Sequence, residues 1–124
     1  MNYADALAKK IKQTSPVCVG LDPRLEKLPE GIEKSAEGVL KFNKGIIDAI
    51  KDTASCVKPQ MAFYELLGPE GYGVFWLTCQ YAKEQGLLVI ADGKRNDIGS
   101  TAQAYADAYL YKESPIDALT VTPY

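Results

Sequence analysis

Four short apolar runs recur along the chain, starting near residues 17, 57, 87 and 118, thirty to forty residues apart. They cover residues 17–22, 56–63, 87–90 and 117–122, each too short for a stable helix and rich in aliphatic or β-branched side chains. The intervals between them carry helical periodicity. Residues 3–14 place Tyr3, Leu7 and Ile11 four apart, and Ser15-Pro16 ends that pattern. Ser35 or Ala36 opens a second helix, to about residue 52, with Val39, Phe42, Ile46, Ile47 and Ile50 at the i, i+3, i+4 positions. A third, residues 70–85, is expected to bury Val74, Phe75 and Leu77 with Trp76 or Tyr81, and Gly86 suits the position after a helix end. Ser100 or a neighbour is expected to cap a fourth, to about residue 111, with Ala102, Tyr105, Ala106, Tyr109 and Leu110 as its apolar stripe.

Strand starts at this spacing match the size of a βαβ unit, and regular strand–helix alternation predicts an α/β fold with a parallel sheet covered by helices. A small doubly wound sheet and part of a (β/α)8 TIM barrel both satisfy the pattern. No Gly-rich G-x-G-x-x-G turn follows the first strand, which weakens the dinucleotide-binding version. Eight such units would need about 250 residues, the usual size of the barrel. The 124 residues hold four, enough for one core and too few for two. The expectation is a single incomplete domain over residues 1–124, the amino-terminal half of a TIM barrel with its last strand uncovered.

Composition removes several classes of function. A net charge of −2 offers no basic field for nucleic acid. No run of about 18 apolar residues suggests a membrane span. Residues 1–5 lack the basic-then-apolar layout of a secretory signal, so a cytoplasmic protein is expected. Cys18, Cys56 and Cys79 are odd in number and sit in or beside apolar stretches, as reduced and mostly buried thiols do. Histidine is absent, which excludes Ser-His-Asp and Cys-His catalysis and His-ligated zinc within the chain. Chemistry done by this chain must use Asp, Glu, Lys, Cys or Tyr.

Side chains two apart on a strand share a face. If residues 87–94 are extended, Asp92 and Lys94 stand side by side at the carboxyl end of the third strand, beyond Leu88 and Ile90. Asp22 closes the first strand on the face of Cys18 and Gly20. Lys58 is unusual inside the second, and Pro59 restricts where that strand can sit, because proline cannot donate to a central ladder. The fourth strand offers Thr120 and Thr122. Asp97 lies past the strand, so alternation does not fix its direction. In a (β/α)8 barrel the active site lies at the carboxyl ends of the strands and draws on several of them. Asp22, Lys58, Asp92 and Lys94 form such a constellation.

The stretch Asp92-Gly93-Lys94-Arg95-Asn96-Asp97-Ile98-Gly99-Ser100-Thr101 resembles the D-x-K-x-x-D-I-x-x-T signature of the orotidine 5′-phosphate decarboxylase family. Gly20-Leu21-Asp22-Pro23-Arg24, Val57-Lys58-Pro59-Gln60-Met61-Ala62-Phe63-Tyr64-Glu65, Thr101-Ala102-Gln103-Ala104-Tyr105-Ala106 and Thr120-Val121-Thr122-Pro123-Tyr124 are similar to its longer bacterial branch. The resemblance runs from Val17 onward and covers the amino-terminal half of that enzyme. It implies a homodimeric TIM barrel that decarboxylates orotidine 5′-phosphate to UMP in pyrimidine biosynthesis, without metal or organic cofactor. It further implies that Lys94 protonates C6 of the pyrimidine, that Asp92 sits beside the substrate carboxylate, and that Lys58 bonds to Asp92 and the ribose. Asp22 would bind a ribose hydroxyl. Asp97, with Ile98 and Thr101, would reach the neighbouring subunit's site. An alternating Lys-Asp-Lys-Asp array fits this chemistry, because a fixed ammonium beside the reacting carbon stabilises developing charge and can donate a proton.

Two other readings remain open. The sugar-phosphate branch of the same superfamily, which decarboxylates 3-keto-gulonate phosphate or makes hexulose phosphate, shares D-x-K-x-x-D but depends on magnesium. Alternatively, the polypeptide is an inactive half-barrel or interaction module, since the family grips phosphate with loops after its later strands. The isolated 124 residues are expected to be inactive.

Overall fold

The structure, a computed structural model, describes residues 2–124. Strands β1 (Cys18–Leu21), β2 (Cys56–Pro59), β3 (Leu88–Ala91) and β4 (Ala118–Leu119) form one parallel sheet in the order β1-β2-β3-β4. A doubly wound sheet reverses its strand order at a switch point, whereas a barrel adds each new strand beside the last. The sequential order therefore selects half of a (β/α)8 barrel from the two architectures the periodicity allowed.

Helix α1 (Tyr3–Gln13) precedes β1, and α2 (Ala36–Ile50), α3 (Met61–Glu65), α4 (Gly68–Glu84) and α5 (Gly99–Tyr109) fill the connections between strands. Asn2 caps α1 by accepting from the Asp5 amide, and Ser35 caps α2 by accepting from that of Gly38. Gly86 follows α4 with a φ of +80°, a left-handed conformation that glycine adopts without a Cβ penalty.

The two faces of the sheet differ. Leu21, Val57, Pro59, Val89 and Ala91 are buried on the helix side, while Cys18, Gly20, Lys58, Leu88 and Ile90 on the other face are exposed or half-buried. The core lies between sheet and helices. Phe75 of α4 is fully buried and meets Tyr64 of α3 edge-on at 5.5 Å. Removing a ring of that size from water contributes about 1.5–3 kcal/mol. Buried Asn43 of α2 donates to the Tyr64 hydroxyl (3.0 Å) and to that of Thr78 on α4 (3.2 Å). Tyr64 in turn donates to the Leu21 carbonyl (3.1 Å), tying three helices to the end of β1 just before Asp22.

Several expectations need correction. Residues 61–63 are helical, not extended: Pro59 interrupts the β2–β3 pairing after Val57↔Val89, it resumes only as the Gln60↔Asp92 bridge, and the Gln60 side chain caps α3. Leu77 is half exposed, because the inward stripe of α4 runs through Val74, Phe75, Thr78, Cys79 and Ala82. Ile98, not Ser100, occupies the N-cap position of α5 and makes no side-chain cap. Strand β4 is two residues long. All three cysteines are free; Cys56 and Cys79 are buried but Cys18 is exposed. No helix among the described residues is long and apolar enough to cross a membrane.

Candidate active site

The backbone of Asp92 is fastened at the end of β3 before its side chain does anything. Its amide donates to the Pro59 carbonyl (3.1 Å), and its carbonyl accepts from the Met61 amide (3.2 Å). The carboxylate then projects among the ends of β2, β3 and β4 with a relative exposure of 8% for the residue.

Both carboxylate oxygens are loaded with donors. Oδ2 accepts from Lys58 Nζ (2.8 Å) and Gln60 Nε2 (2.9 Å). Oδ1 accepts from Lys94 Nζ and from Thr120 Oγ1, the latter at 2.9 Å. A carboxylate has about four lone-pair sites, so this one is fully engaged. Two ammonium groups on one carboxylate leave the cluster locally positive. Because the Lys58 and Lys94 side chains are 35% and 53% exposed, solvent screens much of the attraction in each ion pair.

Burial alone pushes the Asp92 pKa up, but hydrogen bonds from Lys58, Lys94 and Thr120 and the charge of Lys58 outweigh it, holding the carboxyl at about 2 against its ordinary 3.8. Lys58 is shifted up by its hydrogen bond to Asp92, against the opposing effect of burial, with smaller Coulombic contributions from Asp92 and Asp22.

Lys94 reaches Asp92 by a route that alternation does not describe. Its φ is +49°, in the left-handed region, so the extended segment has already ended. For a residue with a Cβ this costs about 1–2 kcal/mol. Surrounding bonds hold it there: the Lys94 amide donates to Thr120 Oγ1 (3.0 Å) and the Arg95 amide to the Thr120 carbonyl (3.2 Å). The Arg95 guanidinium bonds to the Gly93 carbonyl and pairs with Glu65 of α3. A Cβ on Gly93 would lie 2.6 Å from Met61 Sδ, so any side chain there would force the buried Met61 side chain to shift. The Lys94 side chain remains half exposed, its ammonium facing the open side of the sheet.

The other expected residues are placed differently. Asp22 is exposed at the end of β1, close enough to Lys58 to act on its charge. Asp97 does not join the cluster: its carboxylate accepts only from the neighbouring Ile98 amide (2.7 Å) among the described residues. Ile98 is 86% exposed, and Thr101 is exposed on α5. The array thus gathers Lys58, Asp92 and Lys94 and leaves Asp97 outside. Gln60 was missed by sequence reasoning, although its position two residues after Lys58 puts it on the same face. Among the described residues no group of three or more His, Cys, Asp or Glu side chains converges as metal ligands would. An ammonium aimed by a carboxylate, in a positive cluster at strand ends, can stabilise a forming anion and protonate it.

Comparison with known proteins gives the family of the chain. Residues 15–124 match the family described as Orotidine 5′-phosphate decarboxylase / HUMPS family. The orotidine 5′-phosphate decarboxylase of Rhodopirellula baltica is 48% identical over all of this chain and 46% of its own length. That of Streptomyces coelicolor is 41% identical over 98% of this chain and 45% of its own. A crystal structure of a Streptomyces avermitilis protein assigned as an orotidine 5′-phosphate decarboxylase superposes with a TM-score of 0.89 at 38% identity, covering 99% of this chain and 44% of that one. The chain spans about half the length of the curated relatives it matches.

Proposed function

The chain belongs to the orotidine 5′-phosphate decarboxylase / HUMPS family, and from that premise we propose that it supplies the decarboxylating half of an enzyme converting orotidine 5′-phosphate to UMP. The observation that carries the reading is the Asp92 carboxylate bridging Lys94 and Lys58 at the ends of adjacent parallel strands. In the proposed reaction the bond from C6 to the substrate carboxylate breaks, CO2 leaves, and the electron pair stays on C6 in the plane of the ring. That pair has no π system to enter, so the fixed Lys94 ammonium stabilises it as it forms and then gives it a proton. The neutral lysine regains its proton from solvent. Asp92 aims Lys94 and stands beside the substrate carboxylate. Lys58 holds Asp92 and faces the ribose, and Asp22 takes a ribose hydroxyl.

Asp97, Ile98 and Thr101 serve a second subunit in this proposal, consistent with their exposure and lack of partners in the cluster. The magnesium-dependent sugar-phosphate chemistry is less compatible with Asp92, whose lone pairs are all engaged; a metal there would have to displace Lys58, Gln60, Lys94 or Thr120.

The test joins this chain to the carboxyl-terminal half of the Rhodopirellula baltica relative and assays release of CO2 from orotidine 5′-phosphate. The joined protein is expected to turn over substrate and the 124-residue chain by itself is not. A folded joined protein without activity would contradict the assignment; turnover by the isolated chain would contradict the need for a second half.

A further inference from the structure

We propose that Thr120 is a positioning residue whose single hydroxyl locks the Asp92 carboxylate and the Lys94 backbone into one geometry. The proposal builds on the decarboxylase reading, but the geometry behind it does not depend on a substrate. Thr120 Oγ1 accepts from the Lys94 amide at 3.0 Å and lies 2.9 Å from Asp92 Oδ1. An amide can only donate and an ionised carboxylate can only accept, so the one hydroxyl proton must point at Asp92. The direction of the relay is fixed: Lys94 amide to Thr120 oxygen, Thr120 proton to Asp92.

The main chain of the same residue braces the same turn. The Thr120 amide donates to the Ala91 carbonyl (3.0 Å), and its carbonyl accepts from the Arg95 amide (3.2 Å). Residue 120 therefore makes four bonds to residues 91–95, on both sides of the left-handed Lys94. Such a conformation persists in a residue with a side chain only where its surroundings over-determine it. Lys58 and Gln60 hold the other carboxylate oxygen, and among the described residues neither hydrogen-bonds the Lys94 main chain. Among the described residues, Thr120 alone hydrogen-bonds both the carboxylate and the main chain from which the Lys94 side chain starts.

Valine matches threonine in shape but removes both bonds, alanine removes them without adding a methyl, and serine keeps them. In the 124-residue chain at neutral pH, hydrogen exchange of the Lys94 amide should accelerate about tenfold or more in Thr120→Val and in Thr120→Ala. Thr120→Ser should stay close to the parent, and the amides of Val57 and Val89 should not move. In the joined enzyme, Thr120→Val should lower kcat by roughly 100-fold with KM little changed, and Thr120→Ser should restore it. A Lys94 amide that exchanges equally fast in parent, valine and alanine forms overturns the proposal, as does an active joined enzyme whose Thr120→Val form keeps its kcat. A joined enzyme inactive with Thr120 intact speaks against the decarboxylase reading instead, and the exchange measurement then decides the role of Thr120 by itself.

Discussion

Two stretches of the same loop, five residues apart, are built in opposite ways. Asp92 is buried and carries four hydrogen bonds from Lys58, Gln60, Lys94 and Thr120, contributed by the ends of β2, β3 and β4. Asp97 is exposed and bonds only its own neighbour among the described residues, and Ile98 beside it is 86% exposed. A charged group organised by this chain is expected to act within this chain. A charge and a large apolar side chain presented outward, next to a groove of about 300 Å³ lined by Asp97, Tyr105, Leu110 and Val121, are better placed to act on another. The contrast supports the proposed assignment of Asp97, Ile98 and Thr101 to a second subunit.

The largest effect should come from the organised side. Lys94→Ala in the joined enzyme removes both the proton donor and the positive charge, and kcat should fall by about 10⁴-fold or more, some 5 kcal/mol of barrier. Near-normal turnover would show that Lys94 is not the proton donor. Gly93→Ala should cost about 1–3 kcal/mol in the denaturant unfolding of the chain, since the new Cβ meets Met61. An unchanged midpoint would mean that the turn has slack the geometry does not suggest.

Acid should reveal the contribution of Asp92. The folded-state pKa of Asp92 is depressed from 3.8 to about 2, so its contribution to stability is complete above the unfolded value and is lost as pH falls through the folded one. The contribution is roughly 2 kcal/mol, fading between about pH 4 and pH 2. Stability measured against pH should show that decline in the parent and lack this component in Asp92→Asn. Asp97→Asn, by contrast, should change the stability of the chain by less than about 0.5 kcal/mol. Smallest of all should be the effect of a chelator: EDTA is expected to leave turnover by the joined enzyme unchanged, and loss of activity restored by magnesium would favour the sugar-phosphate branch.

The organised half of the loop was also the legible half. The strand-end positions of Asp92 and Lys58 were readable from the apolar runs, and the spacing of those runs foretold four parallel strands. The nearness of Lys94 to Asp92 was expected, although a left-handed turn and not alternation brings it about. What escaped was set by backbone conformation. Pro59 removes a rung from the ladder and Gln60 caps α3, so residues 61–63 turn into a helix where their composition suited a strand. Lys94 enters the left-handed region through bonds to Thr120, a residue 26 positions away, which no local pattern encodes. That turn also takes Asp97 out of the strand's alternation, so its direction could come only from the folded chain.

The division of the loop is tested most directly by mixing. Lys94→Ala and Asp97→Asn forms of the joined enzyme should each be nearly inactive alone. Dissociated and reassociated together, they should recover about a quarter of the parent activity, because half the dimers are mixed and each mixed dimer has one site with both residues intact. If the mixture stays as inactive as its components, Asp97 and Lys94 serve the same subunit's site and the division is wrong.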